Sequence, residues 1–140
     1  MAKNVESTGK RVITHNDDPS LDINWTGLKG YLNISGKILE KNFGKPIFND
    51  DNWAKVRFEW EIKIDNTIIT IYTWKAWYPP PESHLDWSEW NIGGHNTNAV
   101  IKLRTYLGLT DKECYVDSLA RDQEKKQEKN NKCNIEKGKL

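Results

Sequence analysis

The stretch Phe58-Glu-Trp-Glu-Ile-Lys-Ile-Asp-Asn-Thr-Ile-Ile-Thr-Ile-Tyr-Thr-Trp-Lys75 decides the fold of this chain. Its first half alternates apolar and charged residues with a period of two, which is typical of a strand with one face in the core and the other in water. Its second half is dense in β-branched and aromatic residues. Because Asp65-Asn66 between the halves tolerates the backbone of a tight turn, the stretch predicts an antiparallel hairpin.

The charged face of the first of these strands mixes both signs. It carries Lys55, Arg57, Glu59, Glu61 and Lys63. Mixed charge along one face is typical of a surface in contact with solvent, and we interpret it so.

Upstream of the hairpin, the sequence predicts one strand and one helix. Residues 31–34 are apolar enough for a short strand, and Ser35 is a suitable N-cap for a helix over 36–43. Gly44 follows directly and gives that helix its expected end.

Downstream, the sequence predicts a strand and two helices. The strand covers 87–93, and Asn96 or Thr97 opens a helix that Gly108 closes. The run Thr110-Asp-Lys-Glu113 matches a capping box and predicts the start of a last helix. The resulting order, β-α-β-β-β-α-α, favours the α+β class, with a small antiparallel sheet packed on helices.

Composition divides the chain into three parts. Residues 1–20 are polar and show little periodicity, so we expect an N-terminal arm. Residues 21–120 form the single α+β domain. Residues 121–140 contain seven Lys and Arg against four Asp and Glu and few aliphatic residues, and predict a basic tail that passes from frayed helix into disorder.

The overall composition excludes several classes of protein. The 140 residues carry a formal net charge of only +1, which argues against general nucleic-acid coating but leaves weaker or local binding open. We do not expect sequence-specific nucleic-acid binding. The longest apolar runs fall short of the roughly 18 residues of a membrane span, and the polar start does not match a signal peptide. We therefore expect a cytoplasmic protein with no membrane contact, in which Cys114 and Cys133 are reduced thiols.

Neither a metal site nor a catalytic residue is predicted. The three histidines, His15, His84 and His95, are far apart, and none has a second ligand at the usual spacing. Nucleophile signatures such as Gly-x-Ser-x-Gly are absent from the sequence. We expect a protein that is not an enzyme and that holds no cofactor.

The best candidate for a ligand site is the run around two consecutive glycines before the second helix. Its predicted ligand-binding residues are Trp90, Gly93, Gly94, His95, Asn96 and Arg104. Free amides at a helix N-terminus attract an anion such as phosphate, and glycines let it approach the backbone. The alternative is that the glycines only supply a turn and that Asn96 only caps the helix.

The second candidate is a surface for a protein partner, formed by aromatic residues around the rigid proline run 79–81. The chain has seven tryptophans, of which Trp60, Trp74 and Trp90 fall at strand positions and predict core. The predicted partner-binding residues are Trp77, Tyr78 and Trp87. Exposed aromatic rings anchor protein partners or stack on bases, although a local cluster of proline and tryptophan is the alternative.

The segment Trp90-Asn-Ile-Gly-Gly-His95, together with the hairpin before it, resembles a small domain of phages and large DNA viruses. The resemblance spans roughly residues 30–108, and the insertion 79–81 and the Lys-rich tail depart from it. In size and element order the chain is also loosely similar to phage anti-defence sponges such as the Thoeris anti-defence proteins. That similarity implies the sequestration of a nucleotide signal in the cytoplasm of a host cell.

Two hypotheses of different class are therefore open. The first is a non-catalytic binding module of viral or phage type that holds a small phosphorylated or nucleotide ligand. The second is a protein-interaction or virion-associated protein, with a partner chain or a second copy of itself docked on the Trp and Pro loop.

Overall fold

A computed structural model of the chain describes the backbone of residues 3–7, 10–14, 21–77 and 80–137. It describes the side chains of residues 21–77 and 80–129. The helices are α1 (Gly36–Phe43), α2 (Asn98–Leu107) and α3 (Ser118–Lys137), with a short 3-10 helix at His84–Asp86. The strands are β1 (Lys3–Ser7), β2 (Lys10–Thr14), β3 (Gly27–Leu32), β4 (Ile47–Phe48), β5 (Phe58–Ile64), β6 (Thr67–Tyr72), β7 (Trp90–Gly94) and β8 (Cys114–Val116). The predicted α+β class is confirmed.

All the strands described belong to one antiparallel sheet. Its order is β1-β2-β5-β6-β7-β3-β8, and β4 pairs with β5 on the same edge as β2. The predicted hairpin forms β5 and β6, with Trp60 opposite Ile71 and Ile62 opposite Ile69. Asp65 in the connecting turn has a φ of 54°, the left-handed conformation that Asp and Asn tolerate.

Two buried indoles organise the helical side of the sheet. Trp60 of β5 and Trp90 of β7 lie perpendicular to each other, with ring centroids 5.1 Å apart. The Trp60 Nε1 donates to Gly44 O at 2.7 Å and the Trp90 Nε1 to Ile34 O at 3.0 Å. Both carbonyls lie just outside the ends of α1, so the two indoles fasten this helix to the sheet while their own polar atoms are satisfied.

Helix α1 has the predicted bounds and caps. The Ser35 Oγ accepts from the Lys37 amide at 3.2 Å, and Gly44 ends the helix at a φ of 80°. Helix α2 also ends as predicted, at Gly108 in the left-handed conformation. At its other end the Thr97 side chain does not cap α2. Instead, the Thr97 amide and hydroxyl both donate to the Glu124 carboxylate of α3.

Two predicted strands start at other positions. The strand predicted over 31–34 is β3, which begins at Gly27, because it pairs along its length with β7. The strand predicted from Trp87 begins at Trp90, because the residues before it turn through the 3-10 helix that Ser83 caps. A 3-10 helix of three residues has no hydrophobic period of its own, so the sequence pattern does not distinguish it from the surrounding loop.

The prediction of a last helix at Thr110 is wrong. The capping-box contacts do form, since the Thr110 amide donates to Glu113 Oε1 at 3.0 Å. They lead, however, into β8, which pairs with the free edge of β3. Helix α3 begins only at Ser118, where the Asp117 carboxylate accepts from the Ala120 amide at 3.0 Å.

The terminal segments contain more regular structure than expected. Instead of an arm without elements, β1 and β2 form a hairpin that pairs with the edge of β5. Helix α3 runs to Lys137 and covers most of the segment for which we expected a frayed helix. The disorder predicted beyond it stays a prediction. Among the helices described, none combines the length and the apolar character that a membrane span requires.

Close packing of α2 on the sheet depends on glycines. A Cβ at Gly30 would lie 2.6 Å from Val100 Cγ2 and closer still to the carbonyl oxygen of Tyr115. One at Gly94 would lie 2.5 Å from the Cβ of Ala99 in α2. The second glycine of the Gly93-Gly94 pair therefore lets the helix approach its strand.

We expect Gly30→Ala to lower the free energy of unfolding by about 1–3 kcal/mol, since backbone and a buried side chain must move to admit the methyl group. Gly27→Ala is the matched control in the same strand. Its nearest neighbour would be the flexible Lys29 Nζ at 3.5 Å. Urea unfolding of both variants checks this, and equal midpoints would contradict the close packing.

Candidate functional site

The candidate site lies on the sheet face opposite α1 and α2. Because side chains alternate along each strand, a row of polar and aromatic residues crosses this face from strand to strand. Its members are directly opposite one another in register and are Tyr115, Tyr31, Asn91, Tyr72 and Glu59. We call this the open face.

An aromatic groove of about 570 Å³ lies on the open face. The Tyr31 and Tyr115 rings, with centroids 5.4 Å apart, belong to its sheet side. The segment that follows β6 and the start of β7 supply the remaining walls. The lining residues are Tyr31, Asn33, Trp74, Lys75, Ala76, Trp77, Trp87, Glu89, Trp90, Asn91 and Tyr115.

Hydrogen bonds hold the rings of the groove in place. The Trp77 Nε1 donates to Ala54 O at 3.1 Å, and the Trp87 Nε1 donates to Glu89 O at 2.6 Å. The Tyr31 hydroxyl donates to Asp117 Oδ1 at 3.0 Å, and this bond is the largest cause that raises the Tyr31 pKa. Rings fixed in this way lose little further freedom when a ligand binds.

A tight turn at Lys75 shapes the rim of the groove. Lys75 has a φ of 51°, and its amide donates to Lys55 O at 2.7 Å. The Lys75 Nζ lies 5.6 Å from the Trp74 ring centroid and 6.0 Å from that of Trp77. A cation held near two indoles places one positive charge at the rim.

A second and smaller cavity of about 190 Å³ lies beside the groove on the same face. We call it the Glu59 cavity. Its lining residues are Thr26, Gly27, Val56, Glu59, Thr70, Tyr72, Trp74 and Gly93. The Tyr72 and Trp74 rings stand perpendicular to each other, at 83° with centroids 6.3 Å apart. A Cβ at Gly93 would clash with the Thr70 hydroxyl and lie 3.3 Å from Tyr72 Cε1, so the glycine admits these two side chains.

The Glu59 carboxyl is half-buried in this cavity, which corrects the expectation of a solvated charged face. Burial, with a smaller contribution from the Glu61 carboxylate, raises the pKa of Glu59 to about 7. Burial also raises the pKa of Tyr72, although its hydrogen bond with Asn91 acts in the opposite direction. A carboxyl with this pKa changes its charge near neutral pH.

The structure does not bring the predicted ligand-binding residues together. Trp90 is buried in the core, and Gly93 and Gly94 open toward opposite faces of the sheet. His95 and Asn96 are exposed at the start of α2, whereas Arg104 lies in the last turns of that helix.

The Arg104 side chain is also occupied, because its Nε donates to Cys114 O at 2.7 Å. A phosphate cradle between Trp90, His95 and Arg104 is therefore not formed. Of the predicted ligand-binding residues, Gly93 lines the Glu59 cavity and Trp90 the groove.

Two of the predicted partner-binding residues do meet. Trp77 and Trp87 both line the groove, and Tyr78 lies outside the described residues. The expectation that Trp74 belongs to the core is wrong. Its side chain is 48% exposed and separates the groove from the Glu59 cavity.

Sequence reasoning missed Tyr31, Tyr115 and Tyr72 as site residues. For Tyr72 a signal was present, because it alternates with the buried Ile71 and so belongs to the outer face. Tyr31 and Tyr115 come from strands that lie far apart in the chain, and only the pairing of β3 with β8 brings them together.

Among the described residues, neither the free thiol nor the metal-ligating side chains form a further candidate site. Cys114 is free and buried, and burial raises its pKa to about 11, so the thiol stays protonated at neutral pH. The Cys133 side chain lies outside the description. In the described residues no group of His, Cys, Asp and Glu is placed to hold a metal ion. Comparison of the chain with protein-family models, curated proteins and solved structures gave no match.

We expect Glu59→Gln to be more stable than the wild type at about pH 8 and similar to it at about pH 5. The raised pKa means that between about pH 4.5 and about pH 7 the folded protein retains a proton that the unfolded chain releases, so the stability of the wild type falls across this range and levels off above it. The difference should be on the order of 1–2 kcal/mol, since partial solvation reduces the effect.

Urea unfolding of both proteins across this pH range measures the difference. Glu82→Gln, at an exposed position, serves as control. A difference between wild type and Glu59→Gln that does not change with pH would contradict the assignment.

Proposed function

We propose that this chain is a non-catalytic binding module whose aromatic groove holds the ring system of a small ligand, such as the base of a nucleotide. The observation that carries the proposal is the groove of about 570 Å³. Besides the buried Trp90, its lining contains three tryptophans and two tyrosines that reach the surface, Trp74, Trp77, Trp87, Tyr31 and Tyr115. Ligand pockets are concave and largely aromatic, with a few polar groups that orient the ligand.

Stacking supplies the main binding energy in this proposal. Stacking of a base on an aromatic side chain contributes about 1–3 kcal/mol of binding free energy, and every base can stack in this way. The amides of Asn33 and Asn91 line the same groove and offer both donors and acceptors to the edge of a planar ring. Rings for stacking and amides for edge contacts together favour a nucleobase over a purely apolar ligand.

The charges of the groove favour a ligand with few phosphates. Among the described lining residues, Lys75 carries a positive charge and Glu89 a negative one. A polyanion needs several cations around it, as in nucleic-acid channels. One phosphate at Lys75, with the base over the tyrosines, fits this balance.

The biological setting belongs to the same proposal. A viral or phage origin agrees with the resemblance of the Trp90–His95 segment, and sequestration of a small nucleotide in the cytoplasm of a host cell follows from the loose similarity in size and element order to the anti-defence sponges. The reduced and buried Cys114 is compatible with such a compartment.

We expect Tyr115→Ala to weaken binding of the ligand about tenfold, because one stacking ring is removed at the sheet side of the groove. Thermal-shift screening of the full chain against mononucleotides and cyclic dinucleotides identifies a ligand, and titration of tryptophan fluorescence gives the Kd values. Trp25→Ala is the control, since this tryptophan is 94% exposed and lies outside the groove. A panel in which no nucleotide raises the melting temperature would refute the proposal.

A second candidate function, protein binding, is favoured by a different surface. Phe48 of β4 and Trp53 of the following loop are 51% and 69% exposed. The Trp53 ring lies 6.3 Å from that of Trp77, and the Arg57 guanidinium lies 5.1 Å from the Phe48 centroid. Exposed aromatic side chains beside an arginine are typical of interface hot spots.

If this surface binds a partner, Trp53→Ala should reduce partner recovery in pull-down experiments by at least tenfold, as truncation of a hot-spot tryptophan costs about 2 kcal/mol or more. Wild type and Trp25→Ala, which removes an even more exposed tryptophan elsewhere, are compared in parallel. Unchanged recovery with Trp53→Ala would count against protein binding at this surface.

A further inference from the structure

We propose that the Glu59 cavity is a binding site for an organic ammonium group, held between the Tyr72 and Trp74 rings and the Glu59 carboxylate. This site goes beyond the proposed nucleotide groove. Trp74 is the only described residue that lines both spaces, so the two proposals can succeed or fail separately.

The walls of the cavity have the geometry of an aromatic cage. The ring planes of Tyr72 and Trp74 are at 83° to each other, so the two rings form adjacent walls at nearly a right angle. A group in this corner contacts both rings. Ring faces carry partial negative charge and attract cations, and two or more rings with a carboxylate are the usual means of binding quaternary ammonium ligands. Thr70 and Gly93 also line this space.

The size of the cavity suits an alkylammonium headgroup. Its 190 Å³ corresponds to the volume of about six water molecules in the liquid. Glycine at position 93 lets the Thr70 hydroxyl and the Tyr72 ring pack against the strand, because a Cβ there would clash with the Thr70 hydroxyl. Gly93 thus faces the open face of the sheet, and Gly94 faces α2.

The electrostatics of the cavity also favour a cation. Glu59 and Glu61 lie on the same face of β5, and the Glu61 charge contributes to the raised pKa of Glu59. Tyr72, the ionisable group opposite Glu59 on β6, has a raised pKa and stays neutral near pH 7. Glu59 is the charged residue among the described lining residues of the cavity. The cations next to its walls are Lys75, whose Nζ lies 5.6 Å from the Trp74 ring centroid, and Lys29, whose Nζ lies 3.5 Å from the place of a Cβ at Gly27.

A bound cation would stabilise the ionised form of Glu59. Because Glu59 is half-buried and its pKa lies near 7, only part of the protein presents the carboxylate at neutral pH. A permanent cation does not titrate, so the pH dependence of its binding comes from the protein, and Glu59 is the lining group whose pKa lies near neutral pH. The affinity for it should rise roughly tenfold from about pH 6 to about pH 8.

The test uses choline, with 3,3-dimethylbutanol as its neutral isostere, titrated into the full chain by calorimetry at several pH values. We expect choline to bind and the isostere to bind at least about tenfold more weakly. Glu59→Gln should lose about tenfold in affinity for choline and most of the pH dependence, and Trp74→Ala should lose affinity at every pH. Glu82→Gln at an exposed position removes a carboxylate outside the cavity and is the charge-matched control.

The affinities of a peptide with trimethyllysine and of the same peptide with unmodified lysine are measured in parallel with that of choline. They show whether the site prefers an ammonium group on a protein side chain or a free one. The site is supported if the methylated peptide binds more tightly than the unmodified peptide, or if choline binds more tightly than 3,3-dimethylbutanol. Equal affinity of choline and its isostere, or choline binding unchanged in Glu59→Gln, would overturn the proposal. If Glu59→Gln is not folded in a thermal melt, the pH profile of the wild type decides, and a flat profile overturns the proposal as well.

Discussion

The perpendicular contact between the Trp60 and Trp90 indoles is the interaction on which the rest of this structure depends. It joins β5 to β7 across β6, and the two indole nitrogens bind carbonyls at both ends of α1. A small domain buries a limited share of its surface, so two fully buried indoles supply a large part of its apolar burial. The same contact fixes which face of each strand is covered by helices.

Because side chains alternate along a strand, the residues that face the helices also determine which residues lie on the open face. With Trp60 and Trp90 turned toward the helices, Glu59 and Asn91 must point the other way. The antiparallel register then places Tyr72 between them and Tyr31 beyond Asn91. A row of polar and aromatic residues on the open face is therefore a direct consequence of the packing on the other side.

The Gly93-Gly94 pair shows how one short motif meets two requirements. Both glycines are needed for close approach, but they face opposite sides because successive residues of a strand alternate. From the sequence, the pair predicted a phosphate cradle at a helix N-terminus. In the structure Gly94 admits α2 through Ala99, and Gly93 admits the side chains of Thr70 and Tyr72.

The sequence by itself determined the β5–β6 hairpin, α1 with its caps and the end of α2, because period-two alternation, an N-cap serine and terminal glycines are local signals. Only the tertiary structure decided that residues 114–116 form a strand despite a well-formed capping box, since the free edge of β3 offered a long-range partner. It also decided that Trp74 lies at the surface and that Tyr31 meets Tyr115. Pairing between distant strands leaves no periodic trace in either segment, so the groove and the Glu59 cavity could not be assembled from the sequence.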